Sequence, residues 1–441
     1  MVLKVEMEHS KVFHNAKWII VCRIVQAVLQ LIIGMLTARY LGPSNYGLIN
    51  YASSIVAFAL PLMKLGFNST LVRELIEDPE KEGEIVGTSL TLNVISALLC
   101  LLGVTAFVSI ANAGERVTIL VCILYSISLF CAALEMVQYW FQYKLLSKYS
   151  SIVSLLAYVV VAAYRIYLLI TGKNVYWFAL TNALDFGLIG AALLIIYFKK
   201  GGQKFAFSWS RAKAMLSKSK HYILASLMIV VIQNTDHVMI TNMMGTKENG
   251  FYSAAIACAS VIQFVYIAII DSFRPMILSK KKEDENAYEN EIAALYCITT
   301  YLALIQSIVF TVFAGLMIQL LYGNAYIPAT PILQILVWYF IFSVMGTVRN
   351  VWILAEEKQK YLWMINITGA LFNVALNAVM IPFWGACGAA LASLLTQFFM
   401  NFVLGFIFKP IRRNNVLLLK GLNPKFLFSS CKKIFALIKK K

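Results

Sequence analysis

Nine ionisable residues lie inside long apolar stretches of this chain, where a charge is costly. The basic ones are Arg23, Lys64, Arg165, Arg274 and Arg349, and the acidic ones are Glu135, Asp185, Asp236 and Asp271. A charge at the centre of a bilayer costs at least about 2.5–3.5 kcal/mol, so such residues are candidates for binding or ion coupling. Arginine suits a phosphate group in particular, because its planar donor set binds two oxygens and keeps its charge. The five basic residues therefore predict a cationic vestibule that binds a phosphate-bearing anion.

Other roles remain open for several of these residues. A long basic side chain near a helix end, such as Lys64 or Arg274, can reach lipid headgroups without lining a cavity. Arg165 is too deep to reach the cytoplasmic headgroups, but the outer headgroups are only about two turns away. Asp271 and Arg274 are three residues apart and can pair with each other. Glu135 is expected near the inner end of its helix, at the membrane interface.

Asp236 lies in a polar pentad, Gln233 to His237, within an otherwise apolar helix. Buried polar groups in a membrane need polar neighbours. Asp236 therefore binds a coupling H⁺ or Na⁺, contacts sugar hydroxyls, or pairs with Arg165, and Asp185 has the same alternatives. A set of amides either lines a cavity or makes interhelical hydrogen bonds: Gln138, Asn182, Asn350, Asn366, Asn373 and Asn377.

The elements that must position these residues are twelve apolar stretches, each long enough to cross a bilayer. A spanning helix needs about 20 mainly apolar residues. The composition agrees, with 60% hydrophobic and 13% charged residues and a mean hydropathy of +0.76. An all-α polytopic membrane protein is predicted, and a water-soluble enzyme is excluded. The predicted spans are Lys17–Ala38, Tyr46–Gly66, Ile85–Ile110, Val117–Trp140, Ser150–Thr171, Tyr176–Phe198, His221–Gly245, Gly250–Leu278, Ile292–Leu321, Pro328–Leu354, Leu362–Phe383 and Gly385–Phe408.

The positions of Lys and Arg predict which way the chain faces. With the N-terminus inside, the inner segments hold 29 of these residues and the outer segments hold four, Arg39, Arg116, Lys173 and Lys247. Basic residues collect in cytoplasmic loops, so both termini are predicted to be cytoplasmic. This orienting role accounts for the net charge of +17, and we expect no nucleic-acid partner.

Several kinds of chemistry find no matching residues. The eight cysteines have no C-x-x-C spacing, and the four histidines have no zinc-type spacing. There is no Ser-His-Asp set and no glycine loop of the type that holds nucleotide phosphates. We therefore expect no catalytic residue, no metal and no cofactor. The first apolar run is full length, and we expect it to be a retained anchor rather than a cleaved signal.

The chain is predicted to consist of two six-helix bundles, residues 1–198 and 221–408, joined by a basic cytoplasmic linker, 199–220. A basic amphipathic tail, 409–441, follows, and its helix Pro424–Lys441 is expected either at the headgroup layer or in solvent. The segment from Leu41 to Gly47 and the segment from Met244 to Gly250 both read apolar-G-x4-G, 203 residues apart. Six is an even number, so this recurrence predicts parallel repeats related by a pseudo-twofold axis, with a central cavity between the bundles.

Short motifs along the whole chain carry a resemblance to a known family. The first half has Leu41-Gly42-Pro43-x-x-Tyr46-Gly47, then Leu65-Gly66-Phe67 running to Arg73-Glu74. The second half has Leu321-Tyr322-Gly323-Asn324-x-Tyr326, Asn373-Val374-x-x-Asn377 and Ile381-Pro382-x-Trp384-Gly385-x-x-Gly388-Ala389-Ala390. In order and spacing these motifs resemble the bacterial polysaccharide transporter family. That family belongs to the multidrug/oligosaccharidyl-lipid/polysaccharide exporter superfamily.

The resemblance implies a function and partners, and it implies that the anion bound by Arg23, Lys64, Arg165, Arg274 and Arg349 is a diphosphate. It implies a flippase that moves an undecaprenyl-diphosphate-linked oligosaccharide, such as an O-antigen repeat unit, across a bacterial inner membrane by alternating access. It also implies membrane lipids, a polysaccharide polymerase and a chain-length regulator as partners. Two alternatives remain. One is a multidrug or cation antiporter of the same superfamily, which should hold net acid in its cavity. The other is a membrane enzyme acting on the same lipid carrier, which should have a large extramembrane loop with catalytic acids.

Overall fold

The chain folds into helices throughout the part that the structure describes. The computed structural model describes residues 2–424 and 426, and for 2–21, 23, 24 and 282 only the backbone. Within these bounds there are fifteen α-helices and no strand. They are α1 Val2–Met63, α2 Leu71–Glu77, α3 Glu82–Ala111, α4 Arg116–Leu134, α5 Gln138–Tyr143, α6 Ser147–Ile170, α7 Val175–Lys199, α8 Trp209–Met244, α9 Thr246–Ala259, α10 Gln263–Glu283, α11 Glu285–Tyr322, α12 Ala329–Ala355, α13 Leu362–Phe398, α14 Leu404–Ile407 and α15 Arg412–Leu422.

Ten stretches of the described chain are long and apolar enough to cross a membrane. The first and last, Val25–Met63 and Gln359–Ile407, have 39 and 49 residues. At a rise of about 1.5 Å per residue they are roughly 58 and 74 Å long, about twice the thickness of the hydrocarbon core. Each contains one residue that leaves helical geometry, Gly42 with φ 68° and Gly385 with φ 54°. Counted as two crossings each, they bring the total to the predicted twelve.

Gly42 and Gly245 are the equivalent glycines of the predicted repeat, and their backbones have nearly the same conformation. Their φ and ψ are 68° and 172° for Gly42, and 93° and 169° for Gly245. This region is open almost only to glycine, because a Cβ would clash with the backbone. The G-x4-G motif thus marks the same kind of helix-to-helix corner in both halves of the sequence.

The described chain forms two compact units, Met1–Asn242 and Met243–Lys441. Two large buried clusters form most of the core of the N-terminal unit, and a small third one surrounds Tyr158. One large cluster packs the second half of α1 against α3, α4 and α7 and includes Tyr51, Val121 and Leu129. The other large cluster joins α2, α5, α7 and the start of α8 through residues such as Trp140 and Met215. The N-terminal unit therefore includes the basic linker and most of α8. The division into bundles 1–198 and 221–408 stays a prediction.

The linker lies directly on α3 within the N-terminal unit. The Ala206 amide donates to the Gly83 carbonyl at 3.2 Å, and the Ser208 amide donates to Thr88 Oγ1 at 3.1 Å. Gly83 and Gly87 leave no room for a side chain, since a Cβ at Gly87 would lie 2.5 Å from the Ala206 carbonyl oxygen. The two glycines, one turn apart on α3, make this close approach of the backbones possible.

The basic residues at the start of α8 bind an acidic edge of the same unit. Arg211 donates to Asp78 at 2.6 Å and to Glu84 at 2.9 Å, and Lys218 donates to Glu74 at 2.6 Å. The Arg211 side chain is only 14% exposed. Part of the linker's positive charge therefore holds the linker against α2 and α3, in addition to the orienting role predicted from the sequence.

The C-terminal unit is built around α11 and α12, with α9, α10 and α13 packed against them. The short helix α15 lies on α11, where Gly421 contacts the Ala293 carbonyl and Tyr296 donates to Asn414 at 2.8 Å. Arg413 of α15 pairs with Glu289 at 2.7 Å. The predicted amphipathic helix Pro424–Lys441 lies almost entirely outside the described residues.

One ion pair joins α10 to the end of α12. The Lys281 ammonium lies 2.6 Å from a Glu356 carboxylate oxygen, and the Tyr288 hydroxyl donates to the same oxygen at 3.1 Å. Burial opposes the charged form of Glu356, but the bonds from Lys281 and Tyr288 outweigh it and hold the pKa of this carboxyl below its ordinary 4.5. This contact stabilises the predicted cytoplasmic end of the unit.

Candidate functional site

Arg165 has a guanidinium that no acid neutralises by direct contact. It lies on α6, seven residues after Tyr158 and thus on the same face. Its Nε donates to Thr181 Oγ1 of α7 at 3.1 Å, and Thr181 in turn donates to the Phe178 carbonyl at 2.8 Å. Among the residues that the structure describes, Arg165 has no carboxylate within 4 Å and no hydrogen bond from its two Nη atoms. The half-buried guanidinium is therefore held at one nitrogen, and its bidentate edge is available.

Asp185 lies one turn after Thr181 on α7 and has an oxygen without a partner. Its Oδ1 is buried and accepts no hydrogen bond within the described chain. The charges of Arg165 and Glu135 both act on it, but neither forms an ion pair with it. The buried hydroxyl of Tyr158, near Arg165 and Asp185, is also without a partner. Buried polar groups that lack protein partners indicate a site for water, an ion or a ligand.

The polar interior of the N-terminal unit continues from Asp185 towards Lys64. Glu135 lies in the 3₁₀ turn Glu135–Val137 that follows α4. Its charge interacts with Lys64 at the end of α1. Both side chains are half-buried. The structure thus places three of the sequence-predicted residues, Lys64, Arg165 and Asp185, in one electrostatically connected region, together with Glu135.

Arg349 lies apart, inside the C-terminal unit. It is 4% exposed, and its Nη1 donates to the Met400 carbonyl at 2.9 Å. Met400 belongs to the π-helical turn Phe399–Val403. The Nε of Arg349 is buried without a hydrogen-bond partner in the described chain. In this structure Arg349 links α12 to the π turn, and its binding of a diphosphate stays a prediction.

The remaining predicted residues have separate environments. Arg274 pairs with Asp271 at 3.0 Å on the surface of α10, as their spacing allowed. Asp236 is 3% exposed within α8. The backbone of Arg23 belongs to α1, but its side chain lies outside the described residues. Neither the diphosphate-binding role of Arg23 and Arg274 nor the coupling role of Asp236 and Asp271 is tested by these positions.

Two of the predicted amides hydrogen-bond to their surroundings. Asn377 donates to Asn373 Oδ1 at 3.1 Å, and Asn373 Nδ2 lies 3.5 Å from Ser393 Oγ. Asn373 and Ser393 lie on opposite sides of the break at Gly385, so the contact joins the two predicted spans within α13. For Asn373 the structure therefore contains the interhelical contact that was one of the two sequence alternatives.

The sequence reasoning overlooked a second polar region in the N-terminal unit. Ser147, Ser150, Ser151 and Ser154 line a cavity of about 410 Å³ together with Gln138 and two further glutamines. The signal was present in the sequence, because the spacing i, i+3, i+4, i+7 puts all four serines on one helix face. Of these residues the sequence singles out only Gln138, for which a cavity or an interhelical hydrogen bond was expected, and the structure places it at the cavity.

The sequence matches the family model described as "Polysaccharide biosynthesis protein" over residues 12–279. An uncharacterized membrane protein of Methanocaldococcus jannaschii is 23% identical over 281 residues, which are 60% of this chain and 54% of that protein. The chain thus spans about half the length of the curated relative it matches.

Solved structures with the same fold include three transport proteins. An inward-facing multidrug resistance MATE family transporter of the MOP superfamily has a TM-score of 0.71 and 14% identity, covering 89% of this chain and 95% of its own. The lipid II flippase MurJ, inward closed, has a TM-score of 0.68 and 16% identity, covering 96% and 92%. A MOP superfamily transporter from Pyrococcus furiosus, whose binding pocket has reverse polarity, has a TM-score of 0.59 and 15% identity, covering 92% and 96%.

At these identities the structural likeness establishes the fold alone, which is all-helical with two bundles. The resemblance drawn from the sequence motifs is confirmed by the family model. The family model covers more than half of the chain. The chain is a multi-pass membrane protein that belongs to the polysaccharide biosynthesis protein family.

Proposed function

We propose that this protein is a flippase that moves an undecaprenyl-diphosphate-linked oligosaccharide, of the O-antigen repeat type, from the cytoplasmic to the outer leaflet. Membership of a polysaccharide biosynthesis family and a fold shared with a lipid II flippase support a lipid-linked sugar as substrate. Movement without covalent chemistry agrees with the transporters and flippase that share the fold. The bacterial inner membrane, cytoplasmic termini and a polymerase and chain-length regulator as partners belong to the same proposal.

The observation that carries the proposal is the incomplete neutralisation of Arg165. A guanidinium inside a membrane protein normally needs a counter-charge, because an unpaired charge is expensive in a low-dielectric interior. Arg165 has only the Thr181 hydroxyl as a direct partner among the described residues. A substrate diphosphate would supply the missing anion through bidentate bonds. Lys64, in the same polar region, adds a second positive charge.

Asp185 provides the proposal with a place for ion coupling. Its buried, unpartnered oxygen lies within the electrostatic reach of Arg165. A proton or Na⁺ on Asp185 would remove a negative charge from the neighbourhood of Arg165 and so strengthen anion binding there. Binding of the ion and binding of the diphosphate would then be coupled. Asp236 is the second candidate for this role.

The test is transport by the purified protein in proteoliposomes, with an undecaprenyl-diphosphate-linked sugar as substrate. Arg165→Gln removes charge-assisted bonds worth about 1.5–3 kcal/mol each, so flipping should fall tenfold or more. The matched control is Arg116→Gln at the exposed start of α4, which should flip at the wild-type rate. Full flipping by Arg165→Gln would contradict the proposal. Export of a cationic dye, with no flipping by the wild type, would instead identify a cation antiporter.

A further inference from the structure

The cavity lined by Ser147, Ser150, Ser151 and Ser154 has a chemistry that differs from that of the Arg165 region. No Asp, Glu, Lys or Arg is among the lining residues whose side chains the structure describes. Lys144, close in sequence, is paired with Glu82 at 2.8 Å. The described walls therefore offer polar, uncharged groups and favour an uncharged polar ligand over a diphosphate.

The serines present oxygen acceptors to the cavity. Ser150 and Ser151 both donate their hydroxyl protons to the Ser147 carbonyl, at 2.9 and 3.0 Å. Their oxygens keep lone pairs that can accept further bonds. Ser154 makes no hydrogen bond to another residue of the described chain, so its hydroxyl can donate as well as accept. The first two turns of α6 thus form a face of hydroxyls.

Three glutamines complete the cavity from two other helices. Gln138 and Gln142 are one turn apart on α5, and Gln26 lies on α1. None of the three side-chain amides has a hydrogen-bond partner among the residues described. Each offers two N–H donors and one carbonyl acceptor. Gln26 and Gln138 are half-buried and Gln142 is exposed, so water or a polar ligand can reach all three amides and hydrogen-bond to them.

The cavity is large enough for a sugar ring. One water takes up about 30 Å³ of liquid, so about 410 Å³ holds roughly a dozen waters. A hexose has a similar number of non-hydrogen atoms, which covalent bonds hold closer together than separate waters, so the ring fits with room for some water. Its hydroxyls both donate and accept, which matches the mixture of amides and hydroxyls on the walls. A charged ligand would find no counter-charge on the described walls, and a purely apolar ligand would leave their amides and hydroxyls without partners.

We propose that the cavity between α1, α5 and α6 binds an uncharged, hydroxyl-rich sugar residue of the substrate. This inference rests on the proposed flippase function, and it assigns sugar recognition to a site separate from the Arg165 region. The cavity lies at the start of α6, beside the Lys144–Lys148 loop that the sequence predicts to be cytoplasmic. A glycan at this end would be bound before the lipid is moved.

A first experiment uses free sugars and does not depend on flipping. Saturation-transfer NMR is recorded with glucose, galactose and N-acetylglucosamine added to the protein in nanodiscs. At least one sugar should receive saturation from the wild type. Ser151→Ala and Gln138→Leu each remove hydrogen bonds to the sugar, so each should weaken binding by roughly two- to tenfold. Absence of transfer from the wild type to all three sugars would overturn the proposal for free sugars of this class.

The matched control for Ser151 lies on the same helix. Thr171 lies at the far end of α6, and its hydroxyl donates to the Tyr167 carbonyl, four residues earlier, at 2.8 Å. The Ser151 hydroxyl makes the same kind of bond to the Ser147 carbonyl at 3.0 Å. Thr171→Val should leave the sugar signal unchanged. Equal losses in Thr171→Val and Ser151→Ala would mean that the effect comes from the helix rather than from the cavity.

A second experiment separates a sugar carried on a lipid from a free sugar. Binding of undecaprenyl diphosphate is compared with binding of the same lipid bearing N-acetylglucosamine. Ser151→Ala and Gln138→Leu should weaken only the glycosylated lipid, whereas Arg165→Gln should weaken both. Equal weakening of both lipids by the cavity variants would overturn the sugar site. No binding of either lipid to the wild type, with free-sugar binding intact, would reject the flippase function and retain the cavity as a sugar site.

Discussion

The close contact between the linker and α3 allows a sharp test of how the N-terminal unit holds its cytoplasmic segment. Gly87→Ala places a methyl group 2.5 Å from the Ala206 carbonyl oxygen and 2.8 Å from the Ala206 nitrogen. Gly83→Ala places one 2.3 Å from the Lys204 carbonyl oxygen. The atoms in the way are backbone atoms, which cannot rotate aside, so the segment 203–206 must move away from the helix.

Only the close contact changes the equilibrium between the attached and the detached segment. Overpacking of a close contact costs about 1–3 kcal/mol. Replacing Gly by Ala inside a helix stabilises α3 by about 0.5–1 kcal/mol, but equally in the attached and the detached state. The contact should therefore lose about 1–3 kcal/mol, which is a factor of roughly 5–150 in the population of the detached segment.

Trypsin cleavage after Lys204 measures that population, because the peptide bond is accessible to the protease only when the segment has left α3. Cleavage of the detergent-purified Gly87→Ala protein should be about 5–150 times faster than that of the wild type. Gly103→Ala is the control on the same helix, since a Cβ there meets nothing within 4 Å. It should be as resistant as the wild type or more so. Equal cleavage of Gly87→Ala and Gly103→Ala would refute the packing explanation.

Three further predictions concern the charges. Arg211→Gln leaves Asp78 and Glu84 without their shared partner, so the rate of trypsin cleavage after Lys204 should rise. High salt should raise the same rate in the wild type, because it screens these ion pairs. A wild-type cleavage rate that does not depend on salt would contradict this role of Arg211. Because the pKa of Glu356 is held below its ordinary 4.5, its pairing stabilises the protein above that pH and is lost as the pH falls through the lower folded-state pKa. The thermal midpoint of Glu356→Gln should therefore be lower than that of the wild type at neutral pH, and it should fall less on acidification. The control Glu80→Gln, at an exposed site, should follow the wild type. Parallel curves of midpoint against pH for all three proteins would exclude this role of the Lys281–Glu356 pair. If Asp185 or Asp236 carries the coupling ion, its Asn variant should flip substrate in proteoliposomes at a rate that no longer responds to an imposed H⁺ or Na⁺ gradient. An unchanged response in both Asp185→Asn and Asp236→Asn would reject coupling at these residues.

Hydropathy and glycine positions were sufficient to predict the membrane architecture. Twelve crossings followed from the number of apolar stretches, because backbone groups in a bilayer must be satisfied within helices of fixed length. The breaks at Gly42 and Gly385 fall at the predicted junctions between spans. The recurrence of G-x4-G predicted parallel repeats, and the related conformations of Gly42 and Gly245 agree with a shared corner in both halves, since few other residues adopt that backbone geometry.

The environment of each charge could not be read from hydropathy. Arg165 and Arg349 look alike in sequence, as single arginines in apolar helices. In the structure Arg165 is half-buried beside Asp185, whereas Arg349 is enclosed by the π turn that contains Met400. Which face of a helix meets a partner depends on how the helices pack together, and the helical moments of such uniformly apolar segments carry little of that information.

The sequence by itself determined the fold class, the pattern of apolar spans and the family, because these depend on local composition and on short sequence motifs. Tertiary structure alone decided that the basic linker lies on α3, that Lys64, Glu135, Asp185 and Arg165 share one polar interior, and that three glutamines meet the serine face of α6. Those groupings join residues up to about 130 positions apart, from Gln26 to Ser154. Contacts over such separations arise from packing between helices, which no single segment of sequence specifies.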